Sequence, residues 1–285
     1  MKRRILAVAL FAANFWSLAV GHAFAQAGEM ANYYYMVFSA PSPGQEAEYN
    51  RWYDNQHLQD VTSVPGFTRG ERFVLNDPQM YAGVAVAMPK YLAVYTIQTA
   101  DIDGVMKEIN RRLAVRETVL SPAFDRSSAV SYIYRFSRPE QRPVTQNLLA
   151  NTPGNRVQYF HVVFTVPQEA KKDVFDKWYD EVHAPSMLRG PGYLSAQRLV
   201  LARPAQGKIA PTDAIATFRL DLPESTPVTA AREKPLPGTV LGNDILDLSR
   251  NRGYTYRQIG PVVVGDTVRA TRAAKPGERP AAEQR

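Results

Sequence analysis

An α+β fold, built from two βαββαβ units in one chain, is predicted by three observations. The stretch Tyr49-Asn50-Arg51-Trp52-Tyr53-Asp54-Asn55-Gln56-His57 returns as Phe175-Asp176-Lys177-Trp178-Tyr179-Asp180-Glu181-Val182-His183, 126 residues later. The register holds without a gap from Phe38/Phe164 and Pro41/Pro167 to Arg72/Arg198 and Leu75/Leu201. Each copy carries a helical stripe, Tyr49, Trp52, Tyr53 and Gln56 at i, i+3, i+4 and i+7 in the first. Runs rich in aromatic and β-branched residues lie on either side, as strands require.

The elements follow in order. Asn32 to Ser39 reads as a buried strand, ended by Pro41 and Pro43-Gly44. A helix is expected from about Gln45 to His57. Pro65-Gly66 then turns the chain into a strand over Phe67 to Leu75. Asn76 to Lys90 reads as a loop or hairpin, and Tyr91 to Ile97 as a third strand. Asp101 or Asp103 caps a helix whose apolar face is Ile102, Val105, Met106, Ile109 and Leu113. Ala129 to Phe136 is the fourth strand, Tyr132 and Tyr134 alternating with Ile133 and Arg135. This order is the ferredoxin-like split pattern.

The second unit retraces it with strands at Val157 to Thr165, Tyr193 to Leu201 and Ala214 to Leu220, and a helix over Gln168 to His183. Tyr254-Thr255-Tyr256-Arg257 echoes Tyr132-Ile133-Tyr134-Arg135. Prolines between residues 222 and 240 interrupt the second helix, leaving a shorter one near Leu241 to Leu248. Each sheet keeps one apolar face bare of helices, and closing both into one barrel buries those faces. Such a chain is a monomer with an internal pseudo-dimer, or a homodimer of such chains.

Residues 1–25 read as a signal peptide: Lys2, Arg3 and Arg4, an apolar run from Ile5 to Val20, and cleavage after Ala25. The mature protein is therefore expected in the periplasm or secreted. Residues 31–137 form the first unit, 138–155 a proline-bearing linker, 156–263 the second unit and 264–285 a disordered tail. No later stretch is apolar enough to span a bilayer. The 45% hydrophobic and 11% aromatic content exclude global disorder. The charge of +7 falls to +4 without the signal, and no basic helix is interleaved with aromatics, so no nucleic-acid partner is indicated. With no cysteine, thiolate metal sites and cysteine nucleophiles are excluded.

The pattern Trp-Tyr-Asp-x-x-His, then Pro-Gly-Phe/Tyr, then Arg stands here as Trp52 to His57, Pro65-Gly66-Phe67 and Arg72. It stands again as Trp178 to His183, Pro191-Gly192-Tyr193 and Arg198. It resembles the EthD-like branch of the dimeric α+β barrel superfamily. Relatives commonly carry a proline two residues after the histidine; Pro185 follows this and Gln59 departs from it. The resemblance implies the fold. Its range of activities spans cyclases, isomerases, aldoxime dehydratases, haem enzymes and cofactor-free monooxygenases, so function must come from the site.

Candidate chemistry rests on His57, His161 and His183, which titrate nearest neutrality. His57 and His183 are expected at helix ends, with Asp54 and Asp180 one turn back as partners, either as a favourable helix-end charge or as general base or acid. Strand alternation groups His161 with Tyr159 and Val163, apart from Phe160, Val162 and Phe164. Assigning the all-apolar set to the helices puts His161, and its counterpart Tyr35, on the barrel lumen. Arg72 and Arg198 either reach solvent or point into the cavity to hold an acidic group. Tyr53 and Tyr179 are placed to steady an oxyanion. Trp52 and Trp178 read as helix–sheet packing. No zinc motif, phosphate loop or nucleophile elbow appears.

The expected function is an exported, cofactor-independent lyase, isomerase or cyclase moving a proton on a small apolar, oxygenated or aromatic substrate. One alternative is a haem-binding or oxygen-using barrel with His161 or His183 as axial ligand. Another is a non-catalytic ligand-binding or structural barrel.

Overall fold

A computed structural model describes residues 28–81, 88–144, 154–206, 212–233 and 244–274. The expected signal peptide therefore lies outside the described residues, as do parts of the linker, of the 222–240 segment and of the tail.

Strand β1 is Ala31–Pro41, and helix α1 follows as Glu46–Trp52, a π-helical turn Tyr53–His57 and a last segment Leu58–Thr62. Then come β2 (Phe67–Leu75), β3 (Tyr91–Thr99), α2 (Ile102–Ala114) and β4 (Phe124–Phe136). The second half has β5 (Arg156–Thr165) and helix α3, which opens as a 3-10 turn Glu169–Lys171. It continues as Lys172–Trp178, a π turn Tyr179–His183 and Ala184–Met187. Strands β6 (Tyr193–Gln206) and β7 (Ala214–Pro223), short helix α4 (Ala230–Glu233), β8 (Arg252–Val264) and α5 (Gly265–Ala274) complete it.

All eight strands close into one antiparallel barrel in the order β1-β3-β2-β8-β5-β7-β6-β4. Each half contributes four adjacent strands, and the seams between halves are β2·β8 and β4·β6. The cross-strand partners keep the two halves in step. Tyr35 opposes Tyr95 and Ile133, as His161 opposes Phe218 and Thr255. The Tyr254 to Arg257 echo of Tyr132 to Arg135 thus occupies equivalent strands.

Alternation decides what fills the barrel. Tyr34, Met36, Phe38, Phe73, Leu92, Val94, Tyr132, Tyr134, Phe160, Val162, Phe164, Tyr254 and Tyr256 form one buried cluster drawn from both halves. The lumen is thus packed with side chains, and the expected hollow is replaced by a core. Tyr134 and Tyr256 donate their hydroxyls to the carbonyls of Thr212 and Pro89, at 2.9 and 3.1 Å. Two further clusters lie outside the barrel, one under α1 and α2 and one under α3.

The all-apolar face of β5 therefore looks inward, and His161, Tyr159 and Val163 look outward to α3, the reverse of the assignment made from alternation. Tyr35 likewise faces outward, stacked on Tyr95 at 5.9 Å. Polarity alone misassigned the faces because both faces of β5 are buried, the apolar one against the other half-sheet and the one bearing His161 under α3.

Three further expectations change. The α1 helix does not stop at His57 but runs to Thr62. The region expected to hold a short helix near Leu241 to Leu248 shows turns and an isolated bridge from Leu246 to Pro167 over its described part, 244–248. The tail expected to be disordered from residue 264 begins as α5, which docks on the first half. Arg269 donates to the carbonyls of Thr62, Val64 and Phe67, and Arg272 pairs with the buried Asp60. Those carbonyls run from the last residue of α1 through the turn into β2, and that of Val64 also accepts from the Phe67 amide at 3.1 Å. Asp101 caps α2 as expected, accepting from the Gly104 amide at 2.8 Å.

Candidate functional site

The repeated motif builds the same clamp in each half. A π turn widens the helix by one residue, so the carbonyl of Tyr53 accepts from the amide of Leu58, and that of Tyr179 from Ala184. This spacing lays His57 on Trp52 at 4.3 Å and His183 on Trp178 at 4.7 Å, both nearly parallel. The neighbouring tyrosines meet the imidazoles edge-on, at 5.0 and 4.8 Å. Such π turns concentrate at functional positions.

Under each π turn lies the strand arginine. Arg72 is 1% exposed and donates to Asp54 at 2.5 Å and to Asn50 at 2.7 Å. Its guanidinium sits over the Tyr53 ring at 4.4 Å. Arg198 donates to Asp180 at 3.0 Å and Asp176 at 2.7 Å, over Tyr179 at 4.9 Å. Arg72 and Arg198 therefore neither reach solvent nor point into the lumen; they bind helix to sheet. Asp54 and Asp180 serve these arginines rather than the histidines, and Asp180 also receives Arg138 at 2.9 Å. Burial opposes the charge on Arg198, but the bonds to Asp176 and Asp180 outweigh it and hold its pKa above the usual value. Trp52 and Trp178 pack between helix and sheet, as expected.

The halves differ in what they leave unsatisfied. In the first, Trp52 donates to the Val119 carbonyl at 3.1 Å, while His57 Nδ1, Tyr95 Oη and Asp60 Oδ2 are buried without a hydrogen-bond partner among the described residues. Burial, with the charge of Arg72, lowers the His57 pKa to about 3 and keeps it neutral. In the second half, Trp178 Nε1, Tyr179 Oη and His161 Nε2 are all buried without a hydrogen-bond partner among the described residues. Such groups normally find partners, and those that do not mark strain or a site awaiting a ligand or water.

His161 is the centre of this second-half cluster. It is 1% exposed, and its Nδ1 is paired with Thr255 Oγ1 at 2.9 Å. Its Nε2 edge looks over Gly253, where a Cβ would come within 3.1 Å. Burial lowers its pKa to about 4, with the Tyr254 carbonyl pulling weakly the other way. Tyr81 packs on the imidazole at 5.6 Å and Phe218 at 6.2 Å. Tyr193 donates to the sulfur of Met80 at 3.5 Å. Burial keeps the phenols of Tyr179 and Tyr193 protonated, and proximity to Tyr81 raises both further.

The cluster thus joins His161, Tyr81, Tyr179 and Tyr193. His183 is half-buried behind Tyr179, and His57 and Tyr53 belong to the first half's clamp. Met80 and Tyr81 come from the first half and roof the second. Their part was not legible, since the β2–β3 connection carries no pattern. Tyr193 stood in the motif as the aromatic after Pro191-Gly192. Among the described residues, no cluster of side chains suited to a metal ion is found, and no helix is long and apolar enough to cross a membrane.

The fold defines the class: a mixed α+β fold with an eight-stranded antiparallel barrel closed within one chain. Solved structures share it. An anthrone oxidase-like protein aligns over 82% of this chain and 93% of its own, with a TM-score of 0.52 and 10% identity. A provisionally named monooxygenase from Fusobacterium nucleatum subsp. nucleatum aligns over 82% and 94%, with a TM-score of 0.52 and 9% identity. At such identity the likeness is one of fold. No protein-family profile matches the chain, and no curated protein matches it in sequence.

Proposed function

We propose that this protein is an exported enzyme that moves a proton on an aromatic or otherwise apolar oxygenated small molecule. The substrate would sit between α3 and the outer face of the second half-sheet. The observation that carries this reading is His161: buried, neutral, fixed through Nδ1 by Thr255, with Nε2 unspent. A neutral imidazole can accept a proton from an activated C–H or O–H, while the phenol of Tyr179 donates to the oxygen that gains charge. The proton held at Nε2 then returns to another atom of the same substrate, completing an isomerisation, elimination or cyclisation.

One working site fits better than two. Tyr35, Tyr95 and Ile133 stand in the first half where His161, Phe218 and Thr255 stand in the second. The first half is also covered by α5. We read the chain as a tandem duplication within the EthD-like branch, supported by the 126-residue spacing that sets Arg72 and Arg198 in matching clamps. Export rests on the first 25 residues and is tested by fractionating cells that produce the full chain.

A second reading keeps the same proton abstraction but lets the resulting carbanion react with dioxygen. The fold shared with an anthrone oxidase-like protein and a monooxygenase favours it. A haem on His161 fits less well, because it would have to displace Tyr81 and Phe218 from the imidazole.

The test is proton exchange. The protein is mixed in D2O with a panel of aromatic ketones, phenols and anthrones, and deuterium uptake and oxygen consumption are followed. The wild-type chain should accelerate exchange on some members, and His161→Gln should lower that rate about 100-fold or more. Oxygen uptake with the same substrates would select the second reading. Unchanged exchange in His161→Gln would remove His161 from the reaction.

A further inference from the structure

The barrel has two unlike ends. At one, Phe38, Phe73, Leu92, Phe164 and Tyr254 close the core. At the other, the lumen positions turn polar. There Glu71, fully buried, accepts from Arg219 at 2.6 and 3.1 Å and from Arg69 at 3.0 Å. Burial pushes the Glu71 pKa up, but the charge and bonds of Arg219, with Arg69, more than offset it and hold the carboxylate ionised. This cluster ties β2 of one half to β7 of the other and is complete in itself.

The matching place at the opposite seam, 126 residues on, is Gln197, and it is not complete. Its Nε2 donates to the carbonyls of Arg138 and Arg198, at 2.6 and 2.9 Å, which fixes the orientation of the amide. Its Oε1 has no hydrogen-bond partner among the described residues, and the side chain is only 4% exposed. No arginine satisfies it as Arg219 and Arg69 satisfy Glu71. Gln197 lines a groove of about 370 Å³ with Arg135, Phe136, Arg138, Glu140 and Met30. That volume suits a small organic molecule.

The charges around the groove nearly cancel, save one. Arg138 is paired with Asp180 and Asp176, and Glu140 lies 3.5 Å from Arg142. Arg135 is exposed and has neither ion pair nor side-chain hydrogen bond among the described residues. Beside it, the ring of Phe136 packs edge-on against Tyr34 at 4.7 Å, forming an apolar wall.

From this geometry we infer a second small-molecule site at the β4·β6 seam, taking an aromatic hydroxy-acid with a single negative charge. Its carboxylate meets the Arg135 fork, its ring lies along Phe136 and Met30, and its hydroxyl donates to Gln197 Oε1. One uncompensated cation calls for a monoanion, and Glu140 at the rim opposes a dianion. The orphaned amide oxygen calls for a donor. This site lies apart from the His161 cluster and does not depend on any chemistry there.

The probes are 3- and 4-hydroxybenzoate, with benzoate, which has no donor, and phenol, which has no anion, as comparisons. Binding to the full chain is measured by calorimetry and by shifts of the Gln197 side-chain amide in NMR spectra. At least one hydroxybenzoate should bind and move that amide signal. Benzoate should bind about fivefold or more weakly, as should phenol, and Arg135→Gln should cost about tenfold, the scale of one hydrogen bond or exposed charge contact. Arg135 is exposed and unpaired, so its replacement should leave the fold intact, which an unchanged melting temperature will show. His161→Gln should leave hydroxybenzoate affinity unchanged. Absence of binding by either hydroxybenzoate at about 10 mM, equal affinity for benzoate, or undiminished affinity in Arg135→Gln would each overturn the inference.

Discussion

Acidification from pH 7 to pH 5 should weaken the fold through two named histidines. Burial holds His57 at about 3 and His161 at about 4, against an ordinary value of 6.5. Both are neutral in the folded chain throughout this interval, while the unfolded chain takes up protons as pH falls through 6.5. The stability they contribute is therefore fully present above that value and is lost progressively towards pH 4 and then pH 3. Linkage gives ~2 kcal/mol per histidine between pH 7 and 5, or ~4 kcal/mol for the pair. That is a large share of the 5–15 kcal/mol typical of a domain. The assay is urea unfolding at pH 7 and pH 5 for the wild-type chain and for His57→Gln/His161→Gln. The wild type should lose ~4 kcal/mol more than the double variant over this interval, because other titrating groups are common to both. Equal losses in the two proteins would refute the burial of these imidazoles as neutral groups.

Other outcomes follow from the same structure. Arg198→Met removes the buried cation beneath α3 and leaves Asp176 and Asp180 only the more exposed Arg138, so it should cost ~2 kcal/mol by thermal unfolding; Arg198→Lys should recover only part, because a point charge cannot bridge both carboxylates. Glu71→Gln should cost ~3 kcal/mol by leaving the guanidinium of Arg219 poorly compensated, and Glu71→Met with Arg219→Met should restore much of it, read as urea midpoints. Gly192→Ala places a Cβ 2.2 Å from Leu222 Cδ2 at φ +83°, so it should lower stability by more than the ~1 kcal/mol of an unstrained change. Ending the chain after Val264 removes the Arg269 bonds to Thr62, Val64 and Phe67. It should lower the melting temperature and speed amide exchange at the end of α1.

Much of the fold could be read from local pattern. Trp52 and Trp178 announced two equivalent helices, and Phe67 to Leu75 was placed to the residue, because Pro-Gly turns and period-two alternation act within a few residues of chain. The π turns were not legible. They shift a helix by one residue, and their reason, the stacking of His57 on Trp52 above Arg72, lies in contacts with β2. Helix α5 was missed because Ala, Arg and Asp at its positions resemble a solvated tail; only the carbonyls at and beyond the end of α1 explain Arg269. Glu71 had a signal: a carboxylate between Gly70 and Arg72 in a strand must take one face or the other. Tyr81 had none.

From its residues alone the chain specified two βαββαβ units, their helix–strand order and a barrel built by joining their bare faces. Periodicity and chain breakers encode those features, and both are properties of neighbouring residues. Which face of β5 looked inward, and therefore whether His161 met a lumen or a helix, was decided only when the halves came together. A residue's alternation fixes its company on a strand, but the direction of that face depends on which surface finds the larger apolar partner. Here the partner was the other sheet, so the aromatic faces closed on each other and the imidazole was left under α3.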